Sequence, residues 1–256
     1  TDRRIECRVP QGAQSGDLIV SRGTQQSEPL VFTVTDGRIF HVDANAATAD
    51  DDSTGSLLRP WRTLGRALRE VRPGDTVYLH TGVYGETLHP IVSGAEGLPI
   101  MFKAWPGETP VLDGSDLGGT PDGIRVEGAA YGYLIFAGLT LRNFNESVHV
   151  LRGAHHCSFF DLDVGHGEGG LFFYGARDAF VGMSTFHHNE RFGVVFNNYS
   201  TNILIRDSIA FLNNSVDASG GFEADATCSN VTLFRTQALD NLGAGFNLAV
   251  DGLTIA

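Results

Sequence analysis

An all-β parallel solenoid is the fold class this sequence predicts, and three observations predict it. First, five stretches of the second half share one register: Leu139-Thr140-Leu141, Leu162-Asp163-Val164, Ser184-Thr185-Phe186, Ser208-Ile209-Ala210 and Thr236-Gln237-Ala238, in steps of 23, 22, 24 and 28 residues. Second, a parallel register runs through Ser147-Val148, Gly170-Leu171, Gly193-Val194, Gly221-Phe222 and Gly245-Phe246, in steps of 23, 23, 28 and 24. Self-similarity at this period marks repeats that bury their apolar faces only by stacking on one another. Third, the repeats are short β-branched or aromatic runs broken by Gly, Asn and Asp, with no amphipathic helix between them. That excludes helical and leucine-rich repeats and leaves a parallel β-helix, right-handed by the general preference of parallel crossovers.

Composition agrees. The chain has 256 residues, 42% of them hydrophobic, and 32 glycines, which suits a backbone turning a corner every few residues. A net charge of −12 argues against a nucleic-acid groove. No run of about 18 apolar residues exists to span a membrane. Of the 18 basic residues all but Lys103 are arginine. Cys7, Cys157 and Cys228 show no metal-ligand spacing and read as buried thiols.

Along the chain, residues 1–36 read as short strands, Arg4 to Val9, Leu18 to Arg22 and Leu30 to Val34, with turns at Pro10-Gln11-Gly12 and Ser15-Gly16. From residue 37 the text becomes that of a β-helix, continuing to 256 and expected to run on past it. Phe40 to Asp43 is a strand and Ala49 to Ser56 a polar loop. A capping helix is predicted over 60–71, with Pro60 at its start and Trp61, Leu64, Ala67, Leu68 and Val71 on one face. Such a helix covers the open edge and apolar interior of a first coil. Strands follow at Thr76 to Leu79, Ile100 to Ala104 and Val111 to Asp113, ahead of the registered repeats.

Stacked coils lie about 4.8 Å apart, so equivalent positions form columns, and strand side chains alternate in and out. In the second register Val148, Leu171, Val194, Phe222 and Phe246 point in. His149, Phe172, Val195, Glu223 and Asn247 form one outward column, and Leu151, Tyr174, Asn197, Asp225 and Ala249 the next. Asn197, Glu223 and Asp225, with Asp217 in the preceding loop, are a hard oxygen set of the kind that suits Ca²⁺. A solvated acidic face is the plainer alternative. A second pattern, His166-Gly167-Glu168 and His188-Asn189-Glu190, puts two histidines in adjacent coils, with Arg191 beside them. Imidazoles suit acid–base work, and Arg191 suits a uronate carboxylate. His166, His188 and Arg191 are therefore the catalytic candidates, and Asn247, Tyr174 and Glu190 the substrate-binding ones. A simple turn ladder, with His standing where Asn143 stands one coil below, is the alternative. Asn189, Asn213 and Asn241 read as a ladder of amides bonding along the stack.

Two resemblances bear on these residues. Residues 5–34, in the pattern Ile5-x-Cys7-x-Val9-Pro10-x-Gly12-Ala13-x-Ser15-Gly16-Asp17-Leu18, resemble the C-terminal half of an IPT/TIG immunoglobulin-like domain. The run from His41 to Glu86 resembles the N-terminal cap of polysaccharide-lyase β-helices. Asp217-Ala218-Ser219-Gly220-Gly221-Phe222, then Asn230-Val231-Thr232-Leu233-Phe234 and Asp240-Asn241-Leu242-Gly243-Ala244-Gly245-Phe246, resembles family nine pectate lyases. There the chemistry departs: Asp225 stands at the family's lysine position, and Gly243-Ala244 at its Asp-Asp pair. Asn197, Glu223 and Asp225 are similar to the calcium ligands of family six alginate and chondroitin lyases, whose base lysine is also missing. The resemblance implies an extracellular or cell-surface, lyase-like protein that binds an acidic glycan with Ca²⁺. A non-catalytic adhesive or fibre-forming β-helix, self-associating through open ends, is the alternative. A glycosidase using a pair among Asp163, Glu168, Glu190 and Asp217 comes third.

Overall fold

Five residues at one bend of five successive coils hold the left-handed conformation: Asn143 (φ 60°), His166 (59°), His188 (53°), Leu212 (52°) and Asp240 (50°). Asn, Asp and His tolerate this region best among residues with side chains, and the bend is where the chain leaves one face of the solenoid for the next. A second left-handed column, Tyr133, His156, Asp178, Asn202 and Asn230, runs through the second position of five stacked strands of the nine-stranded sheet. The computed structural model describes residues 12–32, 34, 36–214 and 220–255, so the expected strand over Arg4 to Val9 lies outside the described residues.

Between the bends the strands stack into parallel sheets, and the fold is a right-handed parallel β-solenoid of about seven turns. A nine-stranded sheet runs from Ile39–Val42 to Thr254–Ile255, a seven-stranded one from Gly82–Tyr84 to Gln237–Leu239. A six-stranded sheet holds Ile124–Glu127, Glu146–Leu151, Gly169–Tyr174, Phe192–Asn197, Phe222–Ala224 and Phe246–Leu248. Its pairing Val148↔Leu171↔Val194↔Phe222↔Phe246 is the second register of the sequence. Thr140↔Asp163↔Thr185↔Ile209↔Gln237 is the first.

The interior is one continuous apolar column. Phe102, Phe136 and Phe159 stack in parallel at 5.8 and 5.4 Å, and Phe173 and Phe196 do the same at 5.4 Å. Each such pair contributes about 0.5–1.5 kcal/mol beyond its buried area. The predicted alternation fails at three places. Leu151 and Val195, expected to face out, are buried, and Phe246, expected in, is 41% exposed. Phe246 stacks on Phe222 below it, at 5.4 Å.

The capping helix is shorter than the sequence suggested. It spans Leu64–Glu70, and residues 60–63 lie outside it. Trp61 is extended instead, forming a parallel bridge to Val42, stacking on Phe40 at 4.4 Å and donating its indole N–H to the Ser53 carbonyl. Thr63 caps the helix by accepting from Arg66 N–H, and Asp51 accepts from the backbone and hydroxyl of Thr63. The Thr-Leu-Gly-Arg text therefore begins the helix where a threonine can satisfy a free N–H, and Pro60 is passed over. Leu64, Ala67 and Val71 are buried as expected.

The chain divides into two compact units, Thr1–Asp36 and Gly37–Ala256. In the first, Gly16–Leu18 pairs antiparallel with Leu30–Phe32, and Ser21–Arg22 with Gln25–Gln26. In the second, the asparagine ladder forms inside the stack. Asn189 Nδ2 donates to Asn213 Oδ1 at 2.9 Å, and Asn213 Nδ2 donates to Asn241 Oδ1 at 3.0 Å. No helix among the described residues is long and apolar enough to cross a membrane.

Candidate functional site

On the outer face of the six-stranded sheet, charge collects at its first three strands. Ile124 and Val126 turn inward, so Arg125 and Glu127 turn out. Register then sets His149 beside Arg125 and Phe172 beside His149. Just ahead of the first strand, Asp122 is buried and accepts four hydrogen bonds. Arg125 Nη1 (2.5 Å) and His149 Nδ1 (2.9 Å) reach Oδ2, and Asn145 Nδ2 and Glu146 N–H (both 3.3 Å) reach Oδ1. Burial works against the Asp122 charge, but the hydrogen bonds from His149 and Arg125 outweigh it and hold the carboxyl at about 2. Ionised Asp122 thus takes the Nδ1 proton of His149 as a hydrogen bond and leaves Nε2 to take or give a proton, an orientation familiar from Asp–His pairs in catalysis.

One residue over lies the least ordinary group in the chain. Glu146 is only 5% exposed, and its Oε2 is buried without a hydrogen-bond partner among the described residues. The carboxylate occupies space left by a glycine: a Cβ at Gly169 would fall 2.0 Å from Oε2 and 2.6 Å from the Phe192 ring. Burial pushes the Glu146 carboxyl up to about 7; the charges of Asp122 and Glu168 add to the rise, and Arg191 opposes it. Arg191 lies across this group, 3.9 Å from Glu146 Oε1 and 3.3 Å from Glu168 Oε1, with its guanidinium over the Phe192 ring. Its side chain is 57% exposed.

Aromatic rings complete the surface. His149 stacks on Phe172 at 5.1 Å, and Phe172 meets Phe192 and Tyr174, each at 5.9 Å. A carboxyl that titrates near neutrality, an Asp-oriented imidazole, an exposed guanidinium and a row of rings form a site able to bind an anionic ligand with an apolar face and move protons on it.

The residues expected from the sequence are divided among several places. Arg191 and Tyr174 belong to this surface, and Glu190 is exposed next to it in sequence. His166 and His188 do come together, stacked at 5.1 Å, but at the bend before the sheet, with His187 as a third ring. Asn247 sits on the last strand of the sheet, paired in register with Glu223. Of the proposed calcium ligands, Asp217 lies outside the described residues. Asp225 is engaged at both oxygens in a turn, accepting from the N–H groups of Asn198 (3.1 Å) and Thr227 (2.8 Å) and from the Thr227 hydroxyl. Burial is again outweighed by these donors, and its carboxyl lies below the usual range. Asn197 Oδ1 is buried without a partner among the described residues.

Asp122, Arg125, Glu146 and His149 were not picked out from sequence. The signal was available. Asp122 and Arg125 each lie 24 residues before Glu146 and His149, one coil of the repeat. The register of the repeats, extended one coil upstream, places the four together.

Comparisons with known proteins agree with this fold. A family model described as Pel9A-like, right handed beta helix region, matches residues 44–252. Pectate lyase PEL9 of Emericella nidulans is 28% identical over 153 residues, 59% of this chain and 32% of that protein. The uncharacterized protein YwoF of Bacillus subtilis is 33% identical over 81 residues, 32% of this chain and 17% of that one. Among solved structures, pectate lyase Pel9A superposes with a TM-score of 0.67 at 20% identity, covering 82% of this chain and 55% of its own. An alginate lyase from Paenibacillus superposes at 0.61 and 15% identity, covering 84% and 75%. The chain thus spans a third or less of the curated relatives it matches.

Proposed function

The chain belongs to the Pel9A-like right-handed β-helix family, and from that premise we propose that it is a polysaccharide-processing protein, lyase-like, acting on an acidic glycan at the Asp122–Glu146–His149–Arg191 surface. Its relatives suggest a polysaccharide substrate. The observation that carries the site is Glu146, a buried carboxyl held near neutral pKa beside an exposed arginine.

Elimination from a uronate needs three things: a cation on its carboxylate, a base for the proton on the neighbouring carbon, and a proton for the departing sugar oxygen. Arg191 is the cation. Its contacts with Glu168 and Glu146, at 3.3 and 3.9 Å, are loose enough to yield to a bidentate uronate. Moving Arg191 onto the substrate uncovers Glu146, which takes the proton. The carbon–oxygen bond breaks as the double bond forms, and His149, oriented through Nδ1 by Asp122, returns a proton to the leaving oxygen. Phe172 and Tyr174 offer ring faces to the sugars. In this reading residues 1–36, which resemble part of an IPT/TIG module, are a spacer ahead of the solenoid, and the protein works outside the cell or on its surface.

An ultraviolet assay for unsaturated uronate products, on pectate, alginate and chondroitin with and without Ca²⁺, tests the reading. A signal on one polyuronate supports it. Silence across the panel, with the fold intact by circular dichroism, overturns it. Arg191→Ala should raise KM about tenfold or more, the loss of one charge-assisted contact. Because Arg191 holds the Glu146 pKa down, the same variant should move the midpoint of the pH profile upward. An unchanged midpoint would separate Arg191 from Glu146.

A further inference from the structure

At the bend before the six-stranded sheet, three imidazoles converge. One ring nitrogen from each of His166, His187 and His188 lies within 4.8 Å of the others. His187 ends the strand Thr185–His187, and its ring lies over Gly165 one coil below; a Cβ there would fall 2.6 Å from His187 Cε1 and 2.8 Å from Nδ1. The missing side chain at 165 lets the ring lie flat. His187 Nε2 donates to Asp163 Oδ1 at 2.8 Å. With the proton committed to Nε2, Nδ1 of His187 carries a lone pair, 2.9 Å from His188 Nδ1. His166 and His188 stand on the exposed side of the bend.

The chain contains its own control for this geometry. His155 and His156 repeat the adjacent pair, with Nδ1 atoms 2.8 Å apart and Gly132 beneath His155. There the coil below supplies Tyr133, stacked on His156 at 4.6 Å. At the second pair the same position is His166, stacked on His188. Adjacent histidines across a left-handed bend therefore give two nitrogens as a matter of backbone, and His166 makes a third.

We propose that His166, His187 and His188 form a binding site for a divalent transition cation of the zinc class, with Asp163 as the residue that positions His187. Imidazole nitrogens select this class over Ca²⁺ and Mg²⁺, and a carboxylate on the far nitrogen is the usual support of a ligating histidine. Three protein nitrogens on an exposed bend leave a coordination position open to solvent or to a ligand oxygen.

Metal-free protein titrated with Zn²⁺ by calorimetry, and with Co²⁺ by visible absorption, tests the site. One equivalent is expected. His166→Asn, which keeps a residue suited to the left-handed bend as at Asn143, should weaken Zn²⁺ at least about tenfold. Asp163→Asn should weaken it about 10- to 100-fold and perturb the Co²⁺ spectrum. The double variant His155→Asn/His156→Asn should bind as the parent does. No saturable binding by the parent protein, binding unchanged in His166→Asn, or binding lost in the His155/His156 double variant would each overturn the proposal. Thermal unfolding of each variant without metal checks that the coil is intact.

Discussion

Glu146→Gln is expected to lower polyuronate cleavage by about 10²- to 10⁴-fold, the range of a lost general base, while making the folded chain more stable at alkaline pH. Both effects follow from the same carboxyl. In the fold it titrates at about 7, and its reference value is 4.5. Below pH 4.5 folded and unfolded chains both hold the proton, and the group has no effect on stability. Between 4.5 and about 7 the unfolded chain releases the proton and the folded one keeps it, so stability falls as pH rises. Above 7 the folded state carries the full cost of a buried charge that Arg191, at 3.9 Å, offsets only in part, on the order of 3 kcal/mol. Gln carries no charge and escapes that cost. Activity in the parent should rise with pH through about 7, since the base works when deprotonated. Urea denaturation of parent and variant at pH 5 and pH 8 checks the stability half. If the gap between them is the same at both pH values, Glu146 does not titrate as argued. A pH–rate profile checks the other half, and a Gln variant with parental activity would remove Glu146 from the chemistry.

Asn213→Ala should cost about 4 kcal/mol of folding stability without touching the site. Asn213 is fully buried, and four hydrogen bonds of the ladder use its amide. Its Oδ1 accepts from the backbone N–H (3.1 Å) and the amide (2.9 Å) of Asn189, itself fully buried. Its Nδ2 donates to Asn241 Oδ1 and to the Phe186 carbonyl, each at 3.0 Å. Alanine leaves two buried donors of Asn189 without an acceptor, at about 1–3 kcal/mol each, and opens a small cavity as well. The urea midpoint should fall with little change in slope. Asn241 is only partly buried, so Asn241→Ala should cost clearly less. Equal losses at the two positions would mean the ladder does not act through burial.

The stacking register was legible because columns of a parallel solenoid repeat in sequence at the length of one coil. Both registers read from the repeats are the pairings found, and the asparagine ladder follows from them. The capping helix was legible in kind but not in extent: its apolar face is periodic, whereas its start depends on Thr63 finding the Arg66 N–H and on Trp61 pairing with Val42. The Asp122–Glu146–His149 group was hidden because the coil that carries Asp122 and Arg125 precedes the recognisable repeats. At Asp225 the pattern gives the column and not the hydrogen bonds. Its place in an outward column is correct, but a turn uses its oxygens, and no pattern of residue types reveals that.

By itself, then, the sequence determined the coil length, most of the inward and outward faces and the family, because those depend on period and residue type. Only the tertiary structure decided which polar groups are satisfied and which are not. The Glu146 carboxyl stands near neutral pKa because Gly169 leaves a pocket for it, Phe192 closes that pocket, and Arg191 approaches no nearer than 3.9 Å. Those are distances between coils, set by how the stack closes, and burial acts on a charge through such distances.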